Sequence, residues 1–253
     1  MWTTSTILVE YYDINYPKYF IKKLYSNDLV IKLKKDYFKE NPFDLPEKEK
    51  ENIWNWFKEY FIDIIDFKYL KILSKFLNSN DFCKQLENEL IFWISCVSDR
   101  VMADLTVNLI FETSKKDDKK IEKEKIYEYM DKLTNLEKKE LDNAVDNYIE
   151  LLGITNIVDY NNHSIEAKTF YPSIEVFAFA IFYLFDQKQI PINILRSYKF
   201  KYILLDINEV LDYIRKLQDV GLVNFMVKKE TFNLEPKIGI DKLLYFLHEN
   251  YYS

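Results

Sequence analysis

Apolar residues recur at spacings of three and four along most of this chain. Ile207, Val210, Leu211, Ile214 and Leu217 are the clearest case, one stripe of an amphipathic helix. Asp206 stands before the stripe as an N-cap, and Gly221 follows Val220, where a left-handed residue ends a helix. Beyond the glycine the period shortens. Leu222 to Val227 forms a β-prone run, Lys228-Lys229-Glu230 a polar tip, and Thr231 to Leu234 a returning strand that Pro236 ends. The stretch therefore predicts a helix feeding a two-stranded wing.

A similar grammar occurs earlier. Leu141, Val145, Tyr148, Ile149 and Leu152 form a stripe, Gly153 is read as its end, and Ile154 to Val158 leads through polar residues into Ile165 to Lys168. Gly153-Ile154-Thr155-Asn156 set against Gly221-Leu222-Val223-Asn224 suggests a repeated unit with its two glycines in one structural place. Thr134 and Glu137 form the expected capping box of the first helix. The fold class is thus mainly α: a helical N-terminal half over residues 1–115, then two winged-helix-like units with small β-hairpin wings at 116–170 and 171–253.

The N-terminal part reads as a β-prone or irregular lead-in to residue 12 and one or two helices from Pro17 to Phe38 that break near Asn27-Asp28. A helix starting after Pro46 carries Trp54, Phe57, Phe61, Ile64 and Ile65 toward a core, and another runs from Phe67 to Leu77. A long helix capped by Asp81 follows, apolar on more than one face and interrupted near Ser98-Asp99. Asp99, Arg100 and Asp104 are read as a structural ion-pair set. Later, Ser173 caps the helix Ile174 to Phe185, Pro191 opens a short helix to Arg196, and Tyr198 to Leu205 crosses over in extended or turn form. Ile240 to Tyr252 closes the chain as a helix.

Composition narrows the class. With 253 residues, 48% of them hydrophobic, the chain can bury a large core, and 3 glycines with 6 prolines disfavour a sandwich or barrel of many hairpins. Cys83 and Cys96 read as buried free thiols of a reducing compartment, and the strongest apolar run, Val176 to Phe185, is half a membrane span. The expectation is a cytoplasmic protein with no membrane contact.

A net charge of -6 argues against a general polyanion binder and leaves room for local basic faces. One is Lys32, Lys34, Lys35 and Lys39. The other comprises Arg196, Lys199, Lys201, Arg215 and Lys216, with Lys228 and Lys229 in the wing, and these seven are the candidate DNA-binding residues. The residues expected to be exposed on the second helix are Asn208, Glu209, Asp212, Tyr213, Arg215, Lys216, Gln218 and Asp219, whose acids are unfavourable beside phosphate. On the first helix Lys138, Lys139, Asn143 and Asn147 suit DNA, whereas Glu140, Asp142, Asp146 and Glu150 do not.

Motifs for catalysis are missing. The chain has no phosphate-cradling glycine loop, no zinc-hydrolase signature and no paired CxxC, and His163 and His248 are far apart in sequence. Glu235-Pro236-Lys237 imitates the acid-x-Lys of metal-dependent nucleases, but its proline suits a strand end. No catalytic residue, metal or cofactor is expected.

The segment Ile91-Phe92-Trp93 … Arg100-Val101-Met102-Ala103-Asp104-Leu105, then the Leu152-Gly153-Ile154 unit and Leu217-Gln218-Asp219-Val220-Gly221-Leu222, resembles the BrxA-like family of BREX phage-defence systems. The resemblance implies a small non-enzymatic helical protein with winged-helix-type parts that binds duplex DNA and acts beside larger proteins of a defence complex. The acidity of this chain departs from that pattern. It keeps open an alternative, a protein-docking subunit of a larger complex with no DNA affinity of its own.

Overall fold

Residues 7–10, 13–27, 29–79, 83–161, 165–184, 190–191, 198–228, 231–239, 242–243 and 245 are described by the computed structural model. They form a mainly helical protein with two small antiparallel sheets. The N-terminal half contains α1 (Ile7–Glu10), α2 (Asn15–Lys23), α3 (Val30–Glu40), α4 (Glu47–Phe57) and α5 (Phe67–Leu77). The lead-in is thus helical at α1 rather than β-prone or irregular. Leu24 to Asn27 and Leu29 lie between α2 and α3, so the helices part where the break is expected; Asp28 itself lies outside the described residues. The aromatic stripe of α4 is core: Phe57 stacks on Phe20 at 4.5 Å and on Phe61 at 5.3 Å. Ile64 is the exception, half exposed just after the π-helical turn Lys58–Ile62 that prolongs α4 and shifts its face.

The central rod is α6 (Lys84–Ser98), α7 (Arg100–Leu105), a π-helical segment Thr106–Phe111 and the short α8 (Glu112–Ser114). The expected cap of α6, Asp81, lies outside the described residues. The interruption of the rod falls at Asp99, as the sequence suggests. Asp99 is buried and extended in backbone, and its carboxylate caps α7 by accepting from the Met102 N–H at 3.0 Å. The same carboxylate accepts from the Ile7 N–H at 2.6 Å, which ties α1 to the middle of the rod.

Two similar sections follow. The first is β1 (Lys120–Ile121), α9 (Lys123–Leu133), α10 (Lys138–Ile154), β2 (Val158–Tyr160) and β3 (Ile165–Ala167), with strand order β1-β3-β2. The second follows α11 (Ile174–Leu184) and consists of β4 (Ile190–Pro191), α12 (Tyr198–Lys201), α13 (Ile207–Asp219), β5 (Val223–Lys228) and β6 (Thr231–Pro236), with order β4-β6-β5. Pro191 therefore sits in a strand, and Tyr198–Lys201 forms a short helix where an extended or turn form is expected, with the turn following at Tyr202–Leu204. Of the expected closing helix, Lys242, Leu243 and Tyr245 are described and helical.

The repeat is real, but its register differs from the sequence reading. In α13 the chain ends through Val220 into Gly221 at φ +81°, and the N–H groups of Gly221 and Leu222 donate back to Gln218 and Leu217 at 2.9 Å each. In α10 the same pair of bonds runs from Asn156 to Gly153 at 3.0 Å and from Ile157 to Leu152 at 2.9 Å, with Asn156 at φ 61°. Both are the double-bonded left-handed helix stop. The counterpart of Gly221 is Asn156, and Gly153 lies inside its helix. The correspondence continues into the hairpins, where the Lys168 N–H donates to Ile157 O and the Lys237 N–H to Leu222 O, both at 2.9 Å. Each long helix also starts with a capping box: the expected N-cap Asp206 is joined by Glu209, and Glu137 pairs with Glu140 in place of Thr134 with Glu137.

A buried polar seam joins the parts. Lys18 is packed against Asn88 and Glu87, and burial, partly offset by Glu87, lowers the pKa of its ammonium. Asn88 and Gln85 donate to the Ile154 and Thr155 carbonyls at the end of α10. Glu89 accepts from both the N–H and the hydroxyl of Ser173, which is where that serine spends its side chain. Among the described residues no helix is long and apolar enough to cross a membrane.

Candidate nucleic-acid interface

The exposed face of α13 is set by its stripe. Val210, Tyr213, Ile214 and Leu217 are buried, which turns Asn208, Asp212, Arg215, Lys216, Gln218 and Asp219 outward. Tyr213, expected on the outer face, instead packs 4.9 Å from the Phe177 ring and donates its hydroxyl to Pro172 O at 2.6 Å. Burial pushes that phenol up to about 12. Glu209 is likewise used inward, accepting from the Asp206 N–H at 2.7 Å and from Lys115 Nζ at 2.6 Å.

The candidate cations divide by surroundings. Arg215 and Lys216 are exposed on α13, Arg215 paired with Asp212 at 2.7 Å and Lys216 lying over the Tyr213 ring at 4.6 Å. Lys201 is turned onto the central rod, where it pairs with Glu112 at 2.9 Å and covers the Phe111 ring at 4.6 Å. It serves as a dock for the second section and is not brought together with Arg215 by any described contact. Lys199 lies in α12 and Lys228 ends β5, placed here by backbone alone. Arg196 and Lys229 lie outside the described residues, as do His163 and His248.

The corresponding face of the first section is acidic and partly covered. Between residues 120 and 170 there are eleven acids against seven lysines, whereas between 190 and 239 there are eight lysines and arginines against six acids. Asn147 donates to Leu8 O at 2.8 Å, so α1 occupies part of the surface that α10 would present. Asp118, Glu122, Glu124, Asp146 and Glu150 face Lys120, Lys123 and Lys125 around a groove of about 940 Å³ beside α9 and α10. On α3, Lys32, Lys35 and Lys39 are exposed, and Lys34 lies over the Phe38 ring at 5.4 Å.

Glu235 and Lys237 stand at the end of β6, as the proline predicts. Among the described residues no group of three His, Cys, Asp or Glu is placed to hold a metal ion. Cys96 is buried, but Cys83 is exposed just before α6, which corrects the expectation of two buried thiols. Compared with protein-family models, curated proteins and solved structures, the chain matches none.

Proposed function

We propose that the two repeated sections are winged-helix units and that the second binds duplex DNA, with α13 entering the major groove and the β5–β6 hairpin as its wing. The shared order of strand, two helices and two strands, with the last strand in the middle of each sheet, supports the winged-helix reading. The observation that carries the DNA reading is charge. In a chain of net charge -6, the second section holds an excess of basic residues, and Arg215 and Lys216 stand exposed on the outer face of α13. The chain then acts as a non-catalytic accessory protein, cytoplasmic and beside larger enzymes of a BREX-like antiviral system, as its resemblance implies.

The test is fluorescence anisotropy with a random duplex across a salt series. Binding is expected to weaken steeply with salt, and Arg215→Glu with Lys216→Glu is expected to flatten the log-log slope by about 2, two phosphate contacts at roughly 0.9 each. Asp212→Asn, which releases Arg215 from its carboxylate, is expected to tighten binding. Folded protein that ignores duplex at low salt would sink the reading.

One observation favours a second reading. The first section is acidic, and its helix face is shared with α1, which suits a surface for protein partners. A docking subunit without DNA affinity predicts a stable co-purifying protein whose assembly survives reversal of Arg215 and Lys216.

A further inference from the structure

Four lysines that the DNA reading does not use converge where the two repeated sections meet. A hollow of about 310 Å³ is lined by Ser114, Lys115, Lys116 and Lys119 from the end of α8 and the loop leading to β1, Lys168, Thr169 and Phe170 just past β3, and Leu204 and Glu209 from the second section. The backbone holds two of these lysines in place: the Ala167 N–H donates to Lys119 O at 2.9 Å, so Lys119 and Lys168 sit on adjacent hydrogen-bonded segments.

The charges around the hollow do not cancel. Lys115 pairs with Glu209 at 2.6 Å, and Lys168 pairs with Asp159 at 2.6 Å while donating to Asn156 Oδ1. Lys119 donates only to a neutral acceptor, Thr169 Oγ1 at 2.6 Å, and the Lys116 ammonium has no partner among the described residues. Asp117 and Asp118 belong to the same loop, but neither lines the hollow, and Glu209 is its one carboxylate among the described residues. Two uncompensated ammonium groups, the Thr169 hydroxyl and a further pair of ion-paired lysines in a concave site form a receptor for a multiply charged oxyanion, while the Ser114 hydroxyl donates to Phe111 O at 2.8 Å.

We propose that this hollow is a phosphate-binding site, taking either a phosphate of a nucleic-acid backbone or a free polyphosphate compound. The site goes beyond the α13 reading. Only its nucleic-acid arm rests on that reading, since Arg215 and Lys216 take no part in it.

The experiment is isothermal titration of the full chain with inorganic pyrophosphate, repeated in the presence of saturating random duplex. Lys116→Glu with Lys119→Glu is expected to weaken pyrophosphate binding at least about tenfold, because two charge-assisted contacts are lost and two repulsions gained. Lys116→Glu alone, at an exposed position with no described partner, covers the case in which the double variant fails to fold. Lys32→Glu with Lys35→Glu on α3, and Arg215→Glu with Lys216→Glu on α13, are expected to leave pyrophosphate binding intact. Displacement of pyrophosphate by duplex assigns the site to nucleic-acid backbone, and undisturbed binding assigns it to a free polyphosphate. Either outcome supports the site. Absence of binding by the folded wild-type chain, or binding unchanged in folded Lys116→Glu and in the double variant, would overturn it, whatever the outcome at Arg215.

Discussion

The thiol of Cys96 lies 3.6 Å from Thr106 Oγ1 in a fully buried setting, and burial pushes its pKa up to about 12. At pH 8 almost none of it is thiolate, and no reagent reaches it. Iodoacetamide is therefore expected to label only Cys83 in the native protein and both cysteines after denaturation, a difference intact mass spectrometry resolves. Two labels on the native chain would place Cys96 at the surface. The sequence places both cysteines in apolar helical contexts, and it cannot show that Cys83 precedes the first turn of its helix instead of lying within it. Tyr213 teaches the same lesson. Its position on the helical wheel borders the exposed arc, and only the packing of Phe177 and the Pro172 carbonyl decides that the ring turns inward.

The ends of the two long helices separate what pattern reveals from what it hides. Asp206, the stripe from Ile207 to Leu217 and Gly221 mark α13 in sequence, because cap chemistry and left-handed backbone each favour particular residues. In α10 the left-handed position is held by Asn156, the other residue that tolerates it, and Gly153 one turn earlier draws the eye. The two glycines should respond differently to alanine. Gly221→Ala puts a β-carbon on a residue at φ +81° and is expected to cost about 1 kcal/mol. At Gly153 an added β-carbon would come within 2.2 Å of Tyr160 Cε1, but that ring is half exposed and can swing out. The helix-propensity gain of about 1 kcal/mol offsets the displacement, so Gly153→Ala is expected to be close to neutral. Paired urea melts decide, and equal losses at both sites would contradict the register in which Asn156 matches Gly221. The strands β1 and β4, two residues each, carry no pattern long enough to read.

Across the whole molecule, long-range contacts dominate what the sequence does not show. The tie from Ile7 to Asp99, the seam from Lys18 through Asn88 to the end of α10, and the lysine hollow each join residues far apart in the chain, which periodicity cannot pair. The candidate interface on α13 was legible because it lies within one helix. Asp99 makes the sharpest case for tertiary dependence. Asp99→Ala removes the cap of α7 and leaves the Ile7 N–H buried without that acceptor, an expected loss of about 3 kcal/mol. Hydrogen exchange at the Ile7 and Leu8 amides should accelerate along with the fall in urea midpoint. A stability loss with those amides still protected would show that α1 is held by its packing on α10 alone.

The π-helical segment Thr106–Phe111 acts on the molecule as a change of phase. Each residue of a wide turn rotates the chain less than the roughly 100° of an α-helix, so by Phe111 the rod lags by about one residue of rotation. That lag decides which way Phe111, Glu112 and Lys115 point, and these three meet Lys201 and Glu209 of the second section. The aim of α13 is thus geared to the pitch of a helix in the middle of the molecule. A one-residue insertion or deletion there would steer the whole C-terminal section without touching any residue on its surface.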